Sequence, residues 1–177
     1  MQVGPEFTWS RWIDRYREGR AFVTNGPLLS FTANGQPPGS VLRENRVRLA
    51  AEVTSRVPVD TLELIQNGVV IESSSGPRVE KEVTLDRSAW FAVRVSGKPA
   101  RGFGNDAPRA HSAPVYVSPD GKPVLIREDL ELMIRWLGRF WANLEERDNF
   151  GPAPNRANAR KMFNQAIAHY EAKLKGL

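Results

Sequence analysis

Between Ala21 and Val117, apolar side chains recur at every second position, and no stretch of that span shows the 3.6-residue spacing of a helix. A period of two places alternate side chains on opposite faces of an extended strand. Leu29, Phe31 and Ala33 alternate with Ser30 and Thr32, and Val47, Leu49, Ala51 and Val53 alternate with Arg46, Arg48 and Glu52. Leu62 and Leu64 flank Glu63, and Asn67-Gly68 leads into Val69-Val70-Ile71 as the strongest short hairpin signal in the chain. Val79, Val83 and Leu85 oppose Glu80, Glu82 and Thr84, with Lys81 interrupting the apolar face in the manner of an edge strand. Phe91, Val93 and Val95 form a further face, and Val115 and Val117 a last one. With Ala21-Phe22-Val23-Thr24, about seven or eight short strands result, separated by turn residues, which predicts an antiparallel sandwich. Crossover helices are missing from the pattern, so a parallel sheet with crossover helices is not expected.

The flanks are helical. Trp9, Trp12, Ile13 and Tyr16 lie at i, i+3, i+4 and i+7, with Thr8 or Ser10 as the cap and Gly19 as the stop. Beyond Pro123, Leu130, Met133, Ile134, Leu137, Phe140, Trp141 and Leu144 form one helical stripe. Gly151-Pro152-Ala153-Pro154 ends that helix, and Asn155 is placed to cap a second one carrying Met162, Phe163, Ala166, Ile167, Tyr170 and Leu174. The expected organisation is a mainly β chain: an N-terminal helical segment over 1–19, an immunoglobulin-like β-sandwich over 20–123, and a two-helix hairpin over 124–177 packed on the sandwich. Residues 97–111 read as one long Gly- and Pro-rich loop, a length that usually signals either function or disorder.

Composition removes chemistries. The 177 residues include no cysteine, so disulfides, thiolate catalysis and Cys-bound zinc are excluded. The two histidines, His111 and His169, are too few for a His-rich metal site. The net charge of +5 raises the question of nucleic acid, but the excess is spread along the chain. Residues 1–125 hold 16 basic and 13 acidic groups, and residues 126–177 hold 9 and 7. A phosphate-binding protein concentrates its charge on one face, so no nucleic-acid partner is expected. No apolar run approaches the ~18 residues of a membrane span. The first residues also lack a basic region followed by an apolar core, so neither a membrane segment nor a signal peptide is expected. The compartment stays open.

Motifs for phosphate loops, nucleophile elbows and zinc helices are absent. Gly102-Phe103-Gly104 begins like a dinucleotide fingerprint but lacks the third glycine and a following helix. His111 could serve as a general base or lend one metal ligand. The favoured alternative is a histidine at a strand entrance bonded to backbone. Asp60, Glu63, Asp86 and Asp106 are scattered, with no sign of a convergent acid pair. Trp90 and Arg94 share the face opposite Phe91 and Val93, and Tyr116 opposes Val115 and Val117. This outward patch is either a docking surface, since Trp, Tyr and Arg dominate binding hot spots, or a face covered by the C-terminal helices.

Four blocks in order carry a family likeness. They are Gly19 to Leu29 continuing to Gly39, Pro58 to Gly68, Asp86 to Arg94, and Ala110-His111-Ser112-Ala113-Pro114-Val115-Tyr116-Val117. Together they resemble the C-terminal β-rich region of the CehA/McbA-like metallohydrolases, over roughly residues 5–120. The resemblance implies a parent enzyme with a polymerase-and-histidinol-phosphatase (PHP) domain, a distorted β/α barrel holding divalent metal through His and Asp/Glu that precede this region. No His-x-His pattern occurs in this chain, so no metal ligand and no catalytic residue carry over. His111 matches the family's Ala-His-(Ser/Thr)-x-Pro-Val-Tyr-Val block without an assigned role.

The expected function is therefore an accessory β-sandwich, not catalytic alone. It would pack on a PHP catalytic domain of the same or a partner chain and shape its site through the Thr24–Pro27 turn and the 97–111 loop. The chain itself is expected to hold no cofactor. Asn25, Gly26, Trp90, Arg94, His111 and Tyr116 are the interface or site-shaping candidates. The alternative is a stand-alone ligand- or carbohydrate-binding sandwich using Trp90 and Tyr116. Nucleic-acid binding ranks last.

Overall fold

The computed structural model describes residues 6–100 and 106–177. Gly102-Phe103-Gly104 and the middle of the expected 97–111 loop lie outside the described residues. The chain divides into two compact units, Met1–Val124 and Leu125–Leu177.

The first unit begins with α1 (Trp9–Arg17). Thr8 is its cap: the hydroxyl oxygen accepts the Arg11 N–H at 3.3 Å, satisfying one of the open donors of the first turn. Gly19 follows the helix with φ +73°, the left-handed conformation that glycine adopts without a Cβ clash. The aromatic stripe of α1 is stacked but not buried. Trp9 and Trp12 lie 5.3 Å apart and Trp12 and Tyr16 6.1 Å.

Ten strands follow: β1 (Phe22–Thr24), β2 (Leu28–Ala33), β3 (Val41–Leu42), β4 (Arg46–Thr54), β5 (Thr61–Gln66), β6 (Val69–Ser74), β7 (Arg78–Thr84), β8 (Ala89–Ser96), β9 (Arg109–Ser112) and β10 (Val115–Val117). A three-stranded sheet runs β2-β4-β7. In the larger sheet β6 pairs β5, and β5 pairs one edge of β8. The other edge of β8 is shared by β10, opposite Ala89–Phe91, and β9, opposite Arg94–Ser96. Beyond them β1 pairs β9 and β3 pairs β10. The β9/β10 pair thus acts as one strand interrupted at Ala113-Pro114, and Ser112 Oγ repairs the gap by accepting the Val93 N–H at 2.9 Å.

The alternation of the sequence accounts for the core. Leu29, Phe31, Val47, Leu49, Val53 and Val79 from the smaller sheet join Leu62, Leu64, Phe91, Val93, Val95, Val115 and Val117 from the larger in one buried cluster. The β5–β6 hairpin turns at Asn67-Gly68, whose φ angles of +49° and +86° match the two-residue turn. β7 pairs only with β4 among the described residues, and Lys81 on it reaches Glu72 of β6 at 2.8 Å. That ion pair joins the open margins of the two sheets.

Three expectations change. The ladders are not all antiparallel, because β3 runs parallel to β10 (Tyr116 with Val41, Val117 with Leu42). The 97–111 segment is not wholly loop: Arg109–Ser112 forms β9, stabilised on both sides by strands remote in sequence. Gly97 N–H donates to the Pro108 carbonyl at 3.0 Å. His111 consequently sits inside β9, not at the entrance of the last strand.

The second unit contains α2 (Arg127–Arg147) and α3 (Ala153–Lys175). Phe163 of α3 packs against Phe140 and Trp141 of α2, with ring centroids 5.6 and 5.3 Å apart. Arg160 lies 4.8 Å from the Trp141 ring centre. Asn155 is not the cap of α3. Pro152 occupies that place, and the Asn155 amide instead donates to the Phe150 carbonyl at 3.1 Å. Pro154, in the first turn, suits a helix start because its missing N–H would have been open there anyway. Among the described residues, no helix is long and apolar enough to cross a membrane.

Candidate functional site

The outer faces of the two sheets differ in kind. On the smaller sheet, Arg46 pairs Glu82 at 2.6 Å, Arg48 pairs Glu80 at 2.6 Å and Arg78 pairs Glu52 at 3.1 Å. Charge balances charge along this ladder. The Arg46 guanidinium, through its hydrogen bond and then its charge, holds the Glu82 carboxyl below the usual carboxylate range. Such a face is complete in itself.

The larger sheet carries a row of side chains that the register places shoulder to shoulder across four strands. Val23 of β1 faces His111 of β9, His111 faces Arg94 of β8, and Arg94 faces Glu63 of β5. Directly opposed residues have Cβ atoms about 5 Å apart. The Glu63 side chain, only 18% exposed, accepts from Nε of Arg94 at 2.7 Å, and Nη2 lies 2.7 Å from the same carboxylate oxygen as an ion pair. The guanidinium is therefore held in one orientation. Arg109 precedes His111 by two positions and shares its face, opposite Ser96.

These residues line a concavity of about 660 Å³ at the β1–β9–β8 end of the sheet, with Asn25 at its edge. Asn25 is a clamp. Its Oδ1 accepts the Arg109 N–H at 2.7 Å, and its Nδ2 donates to the Ala107 carbonyl at 2.9 Å. The Thr24–Pro27 turn is thereby tied to the backbone of Ala107 and Arg109. Within the turn, Gly26 N–H donates to Thr24 Oγ1 at 2.9 Å, and that hydroxyl donates onward to the Pro27 carbonyl at 2.6 Å.

His111 is bonded to backbone, the favoured of its two sequence readings. Nδ1 lies 2.7 Å from the Ser112 carbonyl oxygen, which can only accept. Nδ1 therefore carries the proton, and Nε2 of the neutral ring is an acceptor. That tautomer is assigned from the hydrogen bond.

Trp90 and Tyr116 stand apart. They face each other across β8 and β10, and Tyr116 is 42% exposed. Tyr116 borders a second depression of about 480 Å³ with Arg43 and Lys122. Four residues of strand separate Trp90 from Arg94, about 13 Å at the usual rise. The expected single patch is thus two. The Trp90 backbone is engaged with the β5–β6 hairpin: its N–H donates to Asn67 Oδ1 at 2.9 Å.

No family model matches this chain, and no solved structure does. The chemistry must be taken from the side chains. Among the described residues, no three His, Cys, Asp or Glu side chains gather in a way that could hold a metal ion. His111 and His169 lie in different units. The donor set does not fit the His- and carboxylate-rich centre that a PHP domain requires. The arrangement can orient a guanidinium, offer a second one, and accept one hydrogen bond at an imidazole.

Glu63, Arg109 and Val23 escaped the sequence reading as site residues. The alternation does carry a signal for two of them. Glu63 is the outward position between Leu62 and Leu64, and Arg109 has the same parity as His111. Their convergence needs the register of strands that are far apart in the chain.

Proposed function

We propose that this chain is a non-catalytic accessory module of immunoglobulin-like type that docks, through the β1–β9–β8 end of its larger sheet, on a catalytic domain of a PHP-type metal-dependent hydrolase. The immunoglobulin-like assignment is supported by strand order. β2-β4-β7 against β6-β5-β8-β9/β10 corresponds to A-B-E against C′-C-F-G. The PHP link rests on the four ordered blocks ending in His111 and Tyr116.

One observation carries the docking reading: the contrast between the two outer faces. The ladder of Arg46, Arg48 and Arg78 with Glu82, Glu80 and Glu52 leaves nothing to offer a partner, whereas the opposite face presents a concavity with a pre-oriented Arg94 and an exposed His111. A divalent metal would belong to the partner domain, and no step is assigned to it through residues of this chain. The test is twofold. The chain, incubated with Mn²⁺ or Zn²⁺ and ester, amide or phosphoester substrates, should give no turnover, and Arg94→Ala should weaken its association with a PHP catalytic domain in analytical ultracentrifugation. Metal-dependent turnover by the chain alone would refute the proposal.

A second reading, a carbohydrate-binding sandwich, is favoured by the cross-strand pair Trp90–Tyr116, since adjacent aromatic rings on a sheet suit sugar faces. Tryptophan fluorescence titration against a glycan panel tests it. A response lost in Tyr116→Ala would support it, and a flat response across the panel would remove it.

A further inference from the structure

We infer that the concavity at the β1–β9–β8 end is a binding site for a small monocarboxylate bearing a neighbouring hydroxyl, such as a hydroxy acid or a sugar acid. The inference rests on the concavity alone and does not need the accessory reading.

The charges select the anion. Arg94 and Arg109 occupy diagonal positions on β8 and β9, since Arg94 opposes His111 and Arg109 opposes Ser96. Diagonal neighbours lie about 7–8 Å apart at the backbone, a separation that two guanidinium groups can bridge around one carboxylate. Glu63 takes the Nε–H of Arg94 and pairs with the adjacent Nη2, which orients the guanidinium and leaves most of its five N–H groups for a ligand. A planar, oriented guanidinium matches a carboxylate better than a point charge does. Two guanidiniums and one carboxylate leave one net positive charge in the lining. That balance suits a monoanion. A phosphate dianion would bring a second negative charge toward Glu63.

The imidazole selects the neighbouring group. With Nδ1–H committed to the Ser112 carbonyl, Nε2 of the neutral ring can only accept. A carboxylate oxygen gives it nothing to accept, whereas a hydroxyl beside the carboxylate does. The exposed Val23, across from His111, supplies an apolar wall for the carbon chain. Asn25 is bonded to the backbone of residues 107 and 109, and this fixes the rim.

The test is a titration of the ¹⁵N-labelled chain with gluconate, butyrate and inorganic phosphate, read from the His111 ring and the Arg109 side-chain Nε–H. Saturable shifts at both, with gluconate tightest, are expected. Arg109→Ala should weaken gluconate about tenfold, as loss of a charge-assisted hydrogen bond does. Arg109→Lys should restore only part of that loss. His111→Phe should cut the preference for gluconate over butyrate by about fivefold, the worth of one ordinary hydrogen bond. Lys122→Ala, a cation of the second depression, should change nothing. The proposal is overturned if none of the three anions gives a saturable shift, if phosphate binds tighter than gluconate, or if Arg109→Ala binds gluconate like the parent. Unchanged backbone spectra in the exposed-site variants keep a folding defect from being mistaken for lost binding.

Discussion

Asn25 and Arg109 are locked to each other by two hydrogen bonds across 84 residues of chain. The Asn25 side-chain oxygen accepts the Arg109 N–H at 2.7 Å, and the Asn25 N–H donates to the Arg109 carbonyl at 3.2 Å. The side chain therefore extends the β1–β9 ladder by one step beyond Thr24. Asn25→Ala should destabilise the chain by about 1–2 kcal/mol, since two backbone groups lose their partners at a partly solvated site. Urea unfolding measures the loss. Faster amide exchange at Arg109 than at Ala110 would localise it.

Gly39 and Gly35 separate backbone strain from collision. Both have positive φ, +86° and +75°. A Cβ on Gly35 meets nothing, whereas one on Gly39 would run into the Glu18 carbonyl at the end of α1. Gly35→Ala should cost about 1 kcal/mol, the left-handed penalty alone. Gly39→Ala should cost clearly more and move α1, which the Trp9 and Trp12 fluorescence would report. Equal losses in the two variants would contradict this close approach.

Ser88 Oγ lies 3.0 Å from Ser118 Oγ and 2.9 Å from Asp120 Oδ1, and this cluster predicts a pH dependence. The backbone N–H of Lys122 and then the Ser88 hydroxyl hold the Asp120 carboxyl below its ordinary value. Lys81 does the same for Glu72, first by its hydrogen bond and then by its charge. A depressed folded-state pKa means the unfolded chain takes up protons first as pH falls. Stability should hold above the ordinary carboxylate range near pH 4 and decline below it. Urea midpoints between pH 7 and 3 measure the slope, and Asp120→Asn should flatten it.

Lys81 guards an edge. Among the described residues β7 has one partner strand, so its outer backbone groups can pair with another copy. The ammonium of Lys81, bound to Glu72, places a charge at that margin. Lys81→Val should raise the tendency to associate, seen as a growing light-scattering signal at unchanged far-ultraviolet circular dichroism.

The period of two determined, without any coordinates, which side chains of β2, β4, β5, β7 and β8 enter the core. Inward and outward positions must alternate once a strand buries one face. Asn67-Gly68 likewise determined its hairpin, because both residues tolerate positive φ. The pattern was silent on β3 and β9. A strand of two residues is too short to show a period, and Arg109–Ser112 is extended because β1 and β8 pair with it, not because its own residues demand it. The row Val23–His111–Arg94–Glu63 has the same origin. Sequence parity put Arg94 and Glu63 on outward faces, but only the tertiary register set them beside His111 and Val23, since hydrogen-bonded ladders join strands regardless of how much chain lies between them.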